Sequence, residues 1–170
     1  CAIKSFVNVP LVIKETGCGI AKEQYEILMK EGFTAFNCAG AGGTNFPAIE
    51  AKRAGQILSD DFLNWGVPTC WSLLDAQYLS ADKVLLASGG IRTAADVARA
   101  FALGANAVGI TGSVLSKVVN DGVESAVEYL ENLAENLKHY LILTGCQSLY
   151  ELRNVPIIIT GDTRNYIDSV

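Results

Sequence analysis

Short apolar runs of four to six residues alternate along the chain with amphipathic stretches of ten or more. That alternation predicts a parallel sheet whose strands are joined by crossover helices. Residues 11–15 read as a first strand, followed by the Gly17-Cys18-Gly19 turn and a helix over 21–31, with Gly32 where a left-handed C-terminal cap belongs. A second strand is expected over 34–39, then a glycine-rich loop and a helical stretch over 48–58. Pro68 stands near the start of a further helix, in which Ser72 and Asp75 have capping-box spacing. The third strand is expected over 83–88. Thr93 and Asp96 repeat the capping-box spacing and open a helix that buries Val97 and Phe101 and stops at Gly104. The fourth strand is expected over 106–110, with a short helix beyond Gly112. A long helix over 123–143 carries Val123, Ala126, Val127, Leu130, Leu133, Leu137 and Leu141 at helical spacing, which reads as a core stripe. A short helix near 148–152 and a docked extended run over 156–160 complete the pattern.

Four β-α units are half of the eight that close a barrel of about 250 residues, and this chain has 170. The expected fold is α/β, a (β/α)8 TIM barrel of which residues 1–170 supply the C-terminal half as a single domain. A four-stranded doubly wound sheet is the alternative. The chain opens on Cys1 rather than Met, without a charged leader and apolar region. Between a lipidated N-terminal Cys and an internal fragment lacking its N-terminal half, the half-barrel pattern favours the fragment.

Composition removes several function classes. Lys and Arg number 13 against 18 Asp and Glu, a net charge of −5, with 50% apolar and 18% charged residues. This is neither the signature of disorder nor the basic footprint of a nucleic-acid binder. The longest uncharged stretch, 100–116, is interrupted by Gly104, Gly109 and Gly112, so no membrane span is expected. The cysteines (Cys1, Cys18, Cys38, Cys70, Cys146) show no C-x-x-C spacing. They read as small apolar residues in a reducing cytoplasm, with a catalytic thiol as the alternative.

The candidate chemistry lies at the strand ends. Ser88-Gly89-Gly90-Ile91-Arg92 and Ile110-Thr111-Gly112-Ser113 each place glycine between a strand and a helix. Such turns bring free backbone N–H groups and the helix dipole to an anion, to which Arg92 adds a cation. Either turn alone could be only a tight βα connection. Together, in the last two units of a barrel, they point to a phosphate site. The loop from Gly40 to Phe46 offers Thr44 and Asn45 to the barrel mouth. Lys14, a charge at the end of an apolar strand, needs a partner: an anionic ligand, or a carboxylate such as Glu15 or one on a neighbouring strand. A flavin mononucleotide would account for Lys14, the glycine turns and Arg92 together.

Five segments carry a family resemblance: Val12-Ile13-Lys14-Glu15-Thr16-Gly17-Cys18-Gly19-Ile20, Gly42-Gly43-Thr44-Asn45-Phe46 with Ile49-Glu50, Trp65-Gly66-Val67-Pro68-Thr69, Ala87-Ser88-Gly89-Gly90-Ile91-Arg92, and Leu103-Gly104-Ala105 through Gly112. In order and spacing they resemble the type 2 isopentenyl-diphosphate isomerases. The resemblance implies an FMN enzyme of isoprenoid biosynthesis that interconverts isopentenyl and dimethylallyl diphosphate, with Mg2+ and NADPH as further cofactors, in a cytoplasmic homo-oligomer. It implies flavin-ring contact by Lys14, cofactor contact by Ala39 and Thr44, and phosphate contact by Gly89, Gly90, Ile91, Arg92, Thr111 and Gly112. Catalytic and metal-binding residues are expected upstream of Cys1, so the chain would be inactive alone. The family usually has Asp at the position of Asn37, Ser or Gly at that of Ala39 and a small residue at that of Trp71.

Two other readings stay open. One is a flavin barrel that oxidises a hydroxy acid, for which the one histidine, His139, falls inside the long helix rather than at a strand end. The other is a non-enzymatic half-barrel that binds a phosphate-bearing ligand or pairs with itself. Glu124, Glu128, Glu131 and Glu135 read as a solvated face of the long helix rather than as catalytic carboxylates.

Overall fold

The computed structural model describes residues 2–77, 79 and 82–169. Its elements are α1 (Ala2–Phe6), β1 (Ile13–Lys14), α2 (Lys22–Lys30), β2 (Ala35–Asn37), α3 (Phe46–Arg53), α4 (Asp60–Leu63), α5 (Thr69–Gln77), β3 (Val84–Ser88), α6 (Ala94–Ala102), β4 (Ala107–Gly109), α7 (Gly112–Asp121), α8 (Val123–Thr144), a 3-10 helix (Leu149–Asn154) and α9 (Gly161–Ser169). The strands form one parallel sheet in the order β1-β2-β3-β4. This is the expected α/β arrangement of successive β-α units, part of a (β/α)8 barrel.

One sheet face is sealed by helices. Phe36, Leu85 and Ala87 point from β2 and β3 into a core with Tyr25, Leu73, Ala76, Ala100 and Ala105. Tyr25 meets Phe36 edge-on at 5.2 Å, a geometry that suits the ring quadrupoles. A second cluster joins Val97 and Phe101 of α6 to Leu152 and to Leu133, Leu137 and Leu141 of α8. Side chains alternate along a strand, so Lys14, Asn37, Leu86 and Ser88 belong to the opposite, concave face.

Local signals set most boundaries. Gly32 at φ +79° closes the turn after α2, and Thr93 with Asp96 forms the expected capping box of α6. Gly145 ends α8 in the left-handed conformation. Other expectations are corrected. Ser72 and Asp75 lie inside α5 and cap a different helix: Ser72 Oγ accepts from Ile20 N–H at 3.1 Å, and Asp75 Oδ2 accepts from Lys22 N–H at 3.1 Å. The α8 stripe divides: Val123, Val127 and Leu130 are exposed, whereas Ala126 is buried and Leu133, Leu137 and Leu141 pack in the cluster with α6. The run 156–160 is not docked, with Ile157 and Ile158 exposed. The helix expected over 48–58 ends at Arg53 as α3, α4 lies beyond that stretch, and α1 and α9 fall outside the elements the sequence predicts.

Candidate functional site

The strand register brings the sequence-singled residues to one edge of the sheet. Lys14 pairs with Asn37 and Ser88 with Gly109, so the loops that follow β1 to β4 are neighbours in chain order. Their backbones touch. A Cβ at Gly17 would lie 2.1 Å from the Thr44 carbonyl oxygen, one at Gly43 2.9 Å from the Gly90 nitrogen, and one at Gly89 2.1 Å from the Gly40 oxygen. Glycine is required here because backbone packs on backbone. Gly17, Ala41 to Asn45 and Leu63 to Trp65 line a cleft of about 270 Å³ beside this edge.

Arg92 stitches two of the loops together. Its Nη1 donates to the Gly90 carbonyl at 3.0 Å and its Nη2 to the Gly42 carbonyl at 2.7 Å. Thr69 Oγ1 lies within hydrogen-bonding reach of the Ser88 and Gly89 carbonyls, at 3.0 and 2.6 Å.

The two helix starts differ as anion sites. At α6 the Asp96 carboxylate accepts from the N–H groups of Arg92 and Thr93 at 3.2 and 3.0 Å. Burial pushes the Asp96 carboxyl up, but the Thr93 hydroxyl, these two amides and Arg99 outweigh it and hold it below its ordinary value. The amides of Gly90 and Ile91 remain without an acceptor among the described residues. At α7 no side chain caps the helix, and the amides of Gly112 and Ser113 are likewise unpartnered. The Cβ direction of Gly112 is open. The donor set of an anion cradle is therefore present: paired amides on adjacent turns, with the α7 dipole unopposed. The residues fit the phosphate of a nucleotide cofactor.

Lys14 is exposed on the concave face and its Nζ donates to the Glu15 carbonyl at 2.8 Å. No ion pair with the Glu15 carboxylate forms, because Glu15 Oε2 turns back to accept from Thr16, Gly17 and Cys18 N–H at 2.6, 3.1 and 2.9 Å. Ala39 is buried with φ +36°, a conformation that costs about 1 kcal/mol or more for a residue with a Cβ. Thr44 is exposed at the cleft. Asn45 is not directed to the mouth: its Oδ1 caps α3 at Ala48 N–H, 2.9 Å, and its Nδ2 donates to the Leu63 carbonyl.

Cys38 is buried, and burial pushes its thiol up. Burial, with Glu15 nearby, does the same to Cys18. Neither has the depressed pKa of a nucleophile. Cys1 lies outside the described residues. Sequence reading names Glu15 only as a candidate partner of Lys14 and Thr69 only within a family segment, although both order the loops. It noted Asn37 only as a departure from the family pattern, although the reasoning that singled out Lys14, a polar group ending an apolar strand, applies equally to Asn37. Among the described residues no group of three or more His, Cys, Asp or Glu could hold a metal, and no helix is long and apolar enough to cross a membrane.

Comparison with known proteins places this geometry. The profile of FMN-dependent dehydrogenases matches residues 67–158, the segment that contains both glycine turns. An isopentenyl-diphosphate delta-isomerase of Geobacillus sp. is 40% identical over 161 residues, covering 95% of this chain and 46% of the relative. One from Methanopyrus kandleri is 38% identical over 167 residues, with 95% and 46% covered. The chain thus spans about half the length of the curated relatives it matches. Among solved structures, mandelate oxidase with 3,3-difluoro-2-hydroxy-3-phenylpropionic acid superposes with a TM-score of 0.66 at 22% identity, over 94% of this chain and 43% of that one. Mandelate oxidase with benzoyl-formic acid gives 0.63 at 24% identity, over 91% and 41%.

Proposed function

The chain belongs to the family of FMN-dependent dehydrogenases, and from that premise we propose that it forms the phosphate-binding half of the FMN site in an isopentenyl-diphosphate delta-isomerase. The observation that carries this reading is the pair of adjacent turns, Gly90-Ile91 and Gly112-Ser113, whose amides lack acceptors among the described residues. Their placement after β3 and β4 suits a phosphate held at the last two strands of a barrel. The choice of isomerase rests on the curated relatives at 38–40% identity.

In this proposal Gly89, Gly90, Ile91, Thr111 and Gly112 hold the phosphate through backbone N–H groups. Arg92 keeps the loops after β2 and β3 in register and adds positive charge. Lys14, Ala39 and Thr44 bound the ring, and the ammonium of Lys14 stabilises negative charge on it. Bound reduced FMN supplies the proton-transfer chemistry that interconverts isopentenyl and dimethylallyl diphosphate. Residues 1–170 act as one domain. Substrate diphosphate, Mg2+ and the catalytic groups would be held by a complementary half of the barrel, so this chain alone would be inactive. NADPH as reductant, a cytoplasmic location and homo-oligomeric assembly belong to the same reading.

Oxidation of a hydroxy acid is the second reading, favoured by the fold shared with mandelate oxidase. It needs a base at the mouth. The loop 38–45 carries no His, and His139 is exposed on α8.

Titration of the 170-residue chain with FMN and with riboflavin, followed by flavin fluorescence, tests the proposal. Saturable FMN binding with riboflavin bound at least about tenfold more weakly is the expected result. Equal affinity for the two flavins would remove the phosphate cradle.

A further inference from the structure

We infer that Thr69 is a positioning residue of the phosphate cradle: its hydroxyl holds the Gly89 carbonyl inward and so aims the Gly90 N–H at the anion. The inference rests on the FMN reading and deepens it, because it names the group that sets the direction of one cradle amide.

Thr69 is the first residue of α5 and is buried against the turns that follow β2 and β3. Its Oγ1 lies 3.0 Å from the Ser88 carbonyl oxygen and 2.6 Å from that of Gly89. A hydroxyl has one proton to give. The Ser88 oxygen already accepts from Gly40 N–H at 2.9 Å, whereas the Gly89 oxygen has no other donor among the described residues. The shorter contact and the lack of a second donor both assign the proton to Gly89. Gly40 makes room for this group: a Cβ there would lie 2.5 Å from Thr69 Oγ1 and 2.4 Å from the Thr69 nitrogen.

A trans peptide is planar and points its C=O and N–H in opposite directions. With the Gly89 carbonyl held on the buried Thr69 hydroxyl, the Gly90 N–H of the same peptide faces away from α5, and it has no acceptor among the described residues. Arg92 does the same for the next peptide: its Nη1 holds the Gly90 carbonyl, opposite the Ile91 N–H. The peptide between Gly89 and Gly90 needs such a lock. Its flanking residues have φ of +93° and +78°, and no Cβ on either of them opposes a half-turn of the peptide plane. The flipped peptide would present a carbonyl oxygen to the phosphate in place of a donor, turning attraction into repulsion. Donors aimed in advance cost no reorganisation when the anion arrives.

Thr69→Val keeps the shape and removes the hydroxyl, and Thr69→Ser restores it. For the full 170-residue chain and both variants, FMN and riboflavin affinities are measured by flavin fluorescence, and the Gly90 amide is followed in 1H–15N spectra. Thr69→Val is expected to lose about tenfold of the preference for FMN by weakening FMN alone, and Thr69→Ser to recover most of it. Equal weakening of both flavins would mark Thr69 as a packing residue and overturn the inference. In wild type the Gly90 amide signal is expected to shift with FMN on the same saturation curve as the fluorescence and to stay put with riboflavin. If wild type prefers FMN and a folded Thr69→Val chain keeps that preference, the inference fails while the FMN reading stands. If wild type binds the two flavins equally, both fail. Should Thr69→Val not fold, the wild-type spectra decide: a Gly90 amide unmoved by FMN, or a Thr69 hydroxyl proton in rapid exchange with water, overturns the inference.

Discussion

Arg92 reaches from the turn after β3 to the loop after β2, its Nη2 donating to the carbonyl of Gly42 at 2.7 Å. With Nη1 on Gly90, one side chain bonds both sides of a seam where the two loops meet backbone to backbone. The guanidinium fork suits this, since its donors are coplanar and fixed in spacing. Loop order and positive charge at the phosphate site therefore depend on the same residue. Arg92→Ala is expected to raise amide hydrogen exchange across residues 40–43 and to weaken FMN binding by roughly 1–2 kcal/mol, the size of a lost charged hydrogen bond near the surface. Arg92→Lys should restore part of the affinity but little of the protection, because an ammonium cannot span both carbonyls. Wild-type exchange in Arg92→Ala would show that the glycine contacts hold the seam unaided.

The glycines of the site divide into those the fold needs and those the ligand would need. Gly89 has φ +93°, and a Cβ there would lie 2.1 Å from the Gly40 oxygen and 2.7 Å from its nitrogen. Backbone on both sides cannot yield, so Gly89→Ala is expected to cost about 3 kcal/mol or more of stability. Gly112 begins α7 without a positive φ and faces open space. Gly112→Ala should leave the urea midpoint nearly unchanged, and Gly112→Leu should reduce FMN affinity toward that of riboflavin. Retention of the FMN preference in a folded Gly112→Leu chain would move the phosphate away from α7.

These contrasts show which features were legible in the sequence. Strand order, the glycine turns and the Thr93-Asp96 cap could be read because each is written in consecutive residues: an apolar run, a glycine, a hydroxyl three places before a carboxylate. What escaped depends on contacts between distant segments. Ser72 and Asp75 have cap spacing, but the amides they serve belong to Ile20 and Lys22, about fifty positions away. No local period distinguishes Val127, which is exposed, from Leu137, which packs in the second cluster. The helix α9 is polar along its length and gains its place from Trp71 and Thr163, joined at 3.1 Å, a contact invisible to periodicity.

Asp75 is the junction of that C-terminal helix with the barrel. At 2% exposure, it accepts from Tyr166 Oη at 2.8 and 2.7 Å and from Lys22 N–H at 3.1 Å, joining α5, α9 and α2. The Tyr166 ring also stacks on Trp71, 4.3 Å between centroids and 7° between planes. Tyr166→Phe keeps the stack and removes one donor, so a loss of about 1 kcal/mol is expected. Asp75→Ala uncaps α2 as well and strands the Tyr166 hydroxyl, for about 2–3 kcal/mol. Urea denaturation of the two variants should rank them in that order. Equal losses would mean that the cap on α2 contributes nothing.

Acid titration separates the two carboxylates that cap helices. Burial raises the Asp75 carboxyl, and the bonds from Tyr166 and Lys22 only partly offset it. The folded state therefore holds this proton more tightly than the unfolded one. Its contribution is fully present below the unfolded value of about 4 and is lost as pH rises through the folded value. Asp96 is held below its ordinary value, so its contribution is present above about pH 4 and is lost as pH falls through the folded value. Asp96→Asn should flatten the decline of the urea midpoint on the acid side of pH 4. Asp75→Asn should flatten the opposing trend on the alkaline side of that pH. An acid limb that is unchanged in Asp96→Asn would show that the Thr93 box, with its carboxylate, does not set the stability of the α6 turn on which the proposed phosphate site is built.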